Sequence, residues 1–192
     1  MFQKDIVKEY RKKVIIGLCL NLVPLNEKFL SDVVRLRNQD KSRYYLNQNL
    51  VLTLDMQKKW YNDYLKRLND IYWCIQNKEG IIIGTIRLYD ITKSDCNQGS
   101  FILDDNYSMG LPYALETELI TLDFAFNILK IKEVINEDRI DNKMMNSISK
   151  KIGFKFEKKV NIRDIEYNRY ILKKEDLKLE RYKQSLNIFM NR

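Results

Sequence analysis

At 192 residues, 45% hydrophobic and 31% charged, the chain has the size and balance of one soluble globular domain with short terminal extensions. It contains no histidine, which excludes Ser-His-Asp and Cys-His triads and leaves the scattered Cys19, Cys74 and Cys96 without the partners or spacing of a zinc site, so no metal is expected. The net charge of +8 comes from basic residues spread along the chain among 26 acids, a solvated mixed surface with a surplus suited to an anionic ligand. A phosphate-bearing cofactor, a nucleotide or DNA would each fit that surplus, and charge does not choose between them.

The basic run Lys8, Arg11, Lys12 and Lys13 before apolar residues 14–20 looks like the front of a signal peptide, but Asn21 and Pro24 interrupt it and no small-residue cleavage site follows. Residues 1–14 therefore read as a polar helix or arm, and 15–24 as a first buried strand. No later segment approaches the roughly 20 apolar residues of a membrane span, and free thiols in apolar contexts fit a reducing, cytoplasmic location. Asn26 is placed to cap a helix in which Phe29, Val33, Val34 and Leu36 recur at helical spacing, ending near residues 37–38. After an irregular stretch at 44–52, Thr53 or Asp55 caps a second helix with Met56, Trp60, Tyr64 and Leu68 on one face.

The period then changes. Residues 71–76 and 81–89 form a hairpin about the turn 77–80, and 100–103 is a further strand. A turn-like stretch at 104–112 leads into a long buried helix over 113–129. Residues 132–136 are a strand, 141–152 a helix stopped by Gly153, and 154–160 with 167–172 a final antiparallel pair. Residues 175–190 read as an amphipathic helix with Leu179, Tyr182, Leu186 and Phe189 along one side. This order predicts an α/β sheet that is partly antiparallel. Neither GxGxxG nor GxxxxGK[ST] is present, so dinucleotide and P-loop folds are not supported.

Three segments carry a family resemblance. Residues 23–26, 34–38 and 56–60 resemble the opening strand and two helices of GNAT acetyltransferases related to ribosomal-protein alanine and amino-sugar acetyltransferases. Residues 99–104 and 107–113 with the helix after them resemble that superfamily's strand, pyrophosphate loop and coenzyme A-binding helix. Residues 142–154 resemble its late helix, with Asn142, Lys151, Gly153 and Phe154 in register. The resemblance spans residues 17–172 and implies the GNAT fold, a mixed, mostly antiparallel central sheet flanked by helices. The divisions are then an arm at 1–14, the domain at 15–172 and a helical extension at 173–192.

The implied cofactor is acetyl-CoA, held by Ile102, Leu103, Ser108, Met109, Gly110, Leu111, Tyr113, Asn142, Ser149 and Lys151. A loop feeding a helix N-terminus offers phosphates unpaired N–H groups and a positive dipole end. The sequence departs from the family form in two places: Pro112 follows the loop with no arginine before it, and Ser149 stands where many members carry a tyrosine that protonates the leaving thiolate. Trp73, the run at 84–90, the helix start Leu115-Glu116 and the start 141–143 look closest to enzymes acetylating nucleotide-linked amino sugars in surface polysaccharide biosynthesis. Arg37, Asn38, Trp60, Trp73 and Arg87 are the implied substrate residues, although Arg37 also suits a helix end and Trp60 core packing. Glu116, Asp104 and Ser149 are the candidate proton-handling groups, with Asp90 behind them, for direct attack in a ternary complex. The alternatives are a protein N-terminal acetyltransferase and a non-catalytic acyl-CoA-binding module. The expected partner is a small molecule, with no nucleic acid and no membrane, and the terminal helix suits packing on the domain or pairing of a homodimer.

Overall fold

The computed structural model describes residues 3–107, 112–178 and 184. Its centre is a set of strands that are apolar on both faces. In β3 (Ile71–Asn77) the alternation sends Ile71, Trp73 and Ile75 into one hydrophobic core and Tyr72 and Cys74 into a second on the opposite face. β4 (Ile82–Tyr89) continues the pattern, and β5 (Asp95–Leu103), a more polar strand, gives Cys96 to the first core and Ile102 to the second. Helices α2 (Leu30–Arg37) and α4 (Leu54–Lys66) cover one face, and α5 (Tyr113–Asp123) with its π-helical continuation Phe124–Ile128 covers the other. All three cysteines are buried and free. No helix among the described residues is long and apolar enough to cross a membrane.

The sheet has eight strands in the order β1-β2-β3-β4-β5-β6-β8-β7. The remaining members are β1 (Ile15–Ile16), β2 (Leu20–Pro24), β6 (Glu133–Arg139), β7 (Lys155–Ile162) and β8 (Ile165–Lys173). Every neighbouring pair is antiparallel except β5 and β6, which run parallel.

Several expectations are refined. Residues 15–24 are two short strands rather than one, because the chain turns at Gly17, where a Cβ would lie 2.6 Å from Glu116 Oε1. Asn26 caps a short 3-10 turn that leads into α2, and Thr53 caps α4 through the Met56 N–H. The stretch at 44–52 begins inside a helix the periodicity did not reveal, α3 (Asp40–Tyr45), which buries no residue and so leaves no apolar signature. α1 (Gln3–Tyr10) is docked on the domain: Val7 is buried and Tyr10 packs edge-on against Phe124. Gly153 ends α6 (Lys143–Ile152) at φ +124°, with the Asp176 carbonyl where a Cβ would sit. Lys174–Asp176 form a 3-10 turn. Leu179, Tyr182, Leu186 and Phe189 of the expected terminal helix lie outside the described residues.

Candidate active site

The site begins where the sheet splits. β5 and β6 pair from Asp95↔Glu133 to Gln98↔Asn136 and then separate. β5 continues beside β4 as far as Gly84↔Leu103, and β6 continues beside β8 as far as Arg139↔Tyr167. A bulge between Thr85 and Arg87 of β4 accompanies the departure, and Ser100 takes φ +52° there. Residues 99–103 thus have no β6 neighbour, and the backbone groups on that side lack a strand partner.

A cleft of about 540 Å³ opens against this unpaired edge. Phe101, Ile102 and Leu103 form its floor, Ala114 and the start of α6 (Asn142, Met144, Met145) its sides, and Tyr45 and Leu46 at the end of α3 part of its roof. Asn142 has two duties, since its Oδ1 caps α6 by accepting from the Met145 N–H at 3.2 Å while the residue lines the cleft. α3 is tied down across the mouth at both ends. Arg139 donates to the Tyr44 carbonyl at 2.7 Å and stacks 4.1 Å from its ring centroid, while the Tyr44 hydroxyl donates to Asp141 at 2.6 Å. On the other side Lys41 pairs with Asp105 at 3.0 Å.

A second hollow lies on the other side of β5. Arg37, Leu52, Gln57, Trp60, Tyr72, Arg87 and Ser100 line a recess of about 110 Å³. The two hollows meet β5 at consecutive residues, Ser100 for the recess and Phe101 for the cleft. Arg87 is held by Asp70 (Nε to Oδ1 2.8 Å, with Nη2 on Oδ2) and lies over the rings of Trp60 and Tyr89. Trp60 itself stacks on Tyr64 at 5.5 Å. The fold thus brings together Arg37, Trp60 and Arg87 of the expected substrate residues.

Residues 20–155 match the Acetyltransferase (GNAT) domain family. The chain belongs to the GNAT acetyltransferases. It is an N-acetyltransferase that uses acetyl-CoA. Solved structures with the same fold include a spermidine N-acetyltransferase from Vibrio cholerae in complex with CoA and spermine (18% identity, 82% of this chain and 96% of that one, TM-score 0.74). Another is FdhC, a nucleotide-linked sugar GNAT (23% identity, 91% and 97%, TM-score 0.73). A third is a GCN5-related N-acetyltransferase from Brucella melitensis (16%, 94% and 95%, TM-score 0.76). No curated protein matches the chain in sequence.

The structure also shows what the other expected residues of this GNAT acetyltransferase do. Trp73 is not at the recess: it is fully buried on the opposite face and packs edge-on against Phe124 at 5.2 Å. Its neighbour Tyr72 faces the recess instead. Asn38 holds the chain at residue 52, accepting from the Leu52 N–H and donating to the Leu52 carbonyl, both at 2.8 Å. Glu116 is buried and fully engaged, one carboxylate oxygen accepting from the Leu18 N–H and the other from Cys19 N–H at 2.9 Å. It fastens α5 to the β1–β2 turn and is not among the residues lining either hollow.

Asp104 is buried and accepts from the Arg35 guanidinium and, at 3.1 Å, from the Asn106 N–H. Burial pushes its pKa up, but these hydrogen bonds outweigh burial and hold it below the ordinary carboxylate value, which makes it a weak base. Asp90 sits in a turn at φ +50°. Tyr113 is buried at the start of α5, whereas its neighbour Ala114 meets the cleft. Lys151 is exposed in the last turn of α6, away from the cleft lining. Ser108, Met109, Gly110 and Leu111 lie outside the described residues.

Ser149 faces inward from α6. Its hydroxyl donates to Asp138 Oδ2 at 2.7 Å and accepts from Asn136 Nδ2 at 3.1 Å. Burial pushes Asp138 up to about 6 against the opposing bonds from Ser149 and Asn136. Across the floor of the fork, Glu118 accepts from Gln98 Nε2 at 2.7 Å, and burial lifts it to about 8. Sequence reasoning missed both acids, because nothing in a helix or strand pattern marks which polar positions the tertiary fold seals.

Proposed function

We propose that the chain transfers the acetyl group of acetyl-CoA to the amine of a nucleotide-linked amino sugar. The cleft suits the donor: it has apolar walls for a slender arm, polar groups at Asn142 and Ser42, and the unpaired edge of β5 along its floor. Ile102, Leu103 and Asn142 are the described residues that would hold acetyl-CoA, with the start of α5 and residues 108–111 taking its phosphates. Bound there, acetyl-CoA supplies an activated thioester. The chain's own part is to orient it, to exclude water beneath α3, and to offer unpaired N–H groups of residues 99–103 to polarise a carbonyl.

The observation that carries the substrate reading is the character of the recess. Its walls are two guanidiniums and two aromatic rings, and the carboxylate next to it, Asp70, is already paired with Arg87 and Arg67. A polycation such as a polyamine would meet net positive charge there; an anionic, ring-bearing acceptor meets complementary charge and stacking surfaces. With Glu116 and Asp104 engaged, the proton of the amine leaves through water or through the substrate itself.

Release of the coenzyme A thiol, measured against nucleotide-linked amino sugars, spermidine and an alanine-leading peptide, tests this reading. Turnover is expected with the nucleotide-linked sugars alone. Preference for spermidine or for the peptide would overturn it.

A further inference from the structure

We propose that the recess between α2, α4 and strands β3–β5 is an oxyanion-binding site that holds a phosphate group of the acetyl acceptor on Arg37, Gln57 and Tyr72, with Arg87 as the fixed charge behind them. That the phosphate belongs to the acceptor rests on the nucleotide-linked substrate proposed above; the site itself does not.

The recess is built from donors that lack an acceptor. Tyr72 is 1% exposed, and its hydroxyl lies beside Thr85 and Arg37 without a well-formed hydrogen bond to either. The Thr85 hydroxyl is already committed to the Ser100 carbonyl at 2.8 Å. Gln57 is 3% exposed, and its side-chain amide makes no hydrogen bond among the described residues. A buried hydroxyl with no hydrogen-bond partner among the described residues, at the wall of a small hollow, is unfavourable unless something enters to accept from it. The charge in the recess has the same sense. Arg87 spends Nε and Nη2 on Asp70, whose charge balances it. Arg37 spends Nε on Gln48 at 3.1 Å and has no carboxylate partner among the described residues.

The geometry is also held in advance of any ligand. Gln48 accepts from Arg37 Nε and donates to the Leu50 carbonyl at 3.0 Å, and Asn38 fixes Leu52, so the wall carrying Arg37 is tied to the loop that closes the recess. Arg87 lies over the Trp60 ring at 5.5 Å and over the Tyr89 ring at 4.6 Å from their centroids. A planar guanidinium lining a small cavity is well matched to phosphate. A phosphate seated here would place the rest of its molecule next to Ser100, one residue from the floor of the cleft.

The test uses the full chain saturated with coenzyme A, so that the donor's own phosphate sites are filled. Inorganic phosphate, and acetate as a carboxylate probe, are titrated at constant ionic strength while tryptophan fluorescence is read. The chain has two tryptophans, and Trp73 is fully buried on the far face, so a Trp60→Phe variant assigns the signal. Phosphate is expected to give a saturable change that disappears in Trp60→Phe. Tyr72→Phe, which keeps the ring and removes the unpaired hydroxyl, should weaken phosphate binding about ten-fold without lowering the thermal midpoint. Arg37→Gln should weaken it further.

A response to phosphate no stronger than to chloride, an unchanged affinity in Tyr72→Phe, or preference for acetate would overturn the proposal. Phosphate binding at the recess without acetylation of nucleotide-linked sugars would sink the substrate reading and leave the site standing. Turnover of those sugars with no phosphate competition and no effect of Tyr72→Phe would do the reverse.

Discussion

Two carboxyl groups, Glu118 and Asp138, sit inside the molecule at positions where their ionised forms are disfavoured. For Glu118, burial raises the pKa from 4.5 to about 8, opposed by the Gln98 hydrogen bond and reinforced by the nearby Asp138 charge. Between those two values the unfolded chain is ionised while the folded chain keeps its proton, so the native state binds more protons and stability falls as pH rises through that window. Asp138 adds the same slope between its ordinary value of 3.8 and about 6. Replacing Glu118 by Gln keeps a partner for Gln98 and removes the ionisation. Thermal unfolding followed from pH 5 to 8.5 should show Glu118→Gln more stable at pH 8 by a few kcal/mol, with a flatter pH profile. A variant as steep as the parent would show that the slope arises elsewhere.

The same cluster bears on Ser149. Its proton is committed to Asp138 and it is 1% exposed, so its first duty is to satisfy a buried acid. Ser149→Ala should cost about 1–3 kcal/mol in a denaturant titration. It should lower kcat only a few-fold at a temperature where the variant stays folded. A loss of a hundred-fold or more in kcat would instead mark the hydroxyl as a proton donor in the reaction.

Among the elements, α3 has an unusual role for its length. It buries no residue and owes its position to polar ties at both ends, Arg139 and Asp141 on one side and Asp105 on the other. Such exposed polar contacts each contribute about 1 kcal/mol or less to global stability, yet these hold the roof of the cleft. Arg139→Ala is therefore expected to leave the unfolding midpoint within a few degrees of the parent while raising the KM for acetyl-CoA several-fold. A fall in stability with unchanged KM would mean that the ties serve the fold rather than the cleft.

α3 also shows why elements differ in legibility. The helices with apolar stripes, α2, α4 and α6, and the hairpin β3–β4 can be read from periodicity because each has a face to bury. α3 has none, and the β1–β2 turn is set by a contact with Glu116 almost a hundred residues away. Both follow from long-range contacts that local pattern does not carry.

At the scale of the whole molecule, the decisive feature is the fork, where one parallel pair breaks off while each strand keeps its other neighbour. A ligand wedged into it bridges both halves of the sheet and binds the folded state alone, so it should stabilise globally. At coenzyme A a hundred-fold above its Kd, the gain is about 2.7 kcal/mol. For a domain of this size that corresponds to a rise of roughly 5–10 °C in the thermal midpoint. Absence of any shift would be incompatible with a donor site in the fork.

The sequence by itself determined the class of fold, the order of its main elements and the family, because these rest on periodicity, caps and the register of residues 142–154. It also excluded histidine chemistry outright. The tertiary structure alone decided which face of a doubly covered strand looks at the recess. β3 is apolar on both sides, so the alternation that sends Trp73 into one core and Tyr72 to the recess has no local signature of direction. It likewise decided that Glu116 and Asn38 hold backbone in place and that Asp104 is bound to arginine, while Glu118 and Asp138 are sealed inside. A carboxylate's function depends on what lies within a few ångströms of it, and those neighbours are brought there by folding.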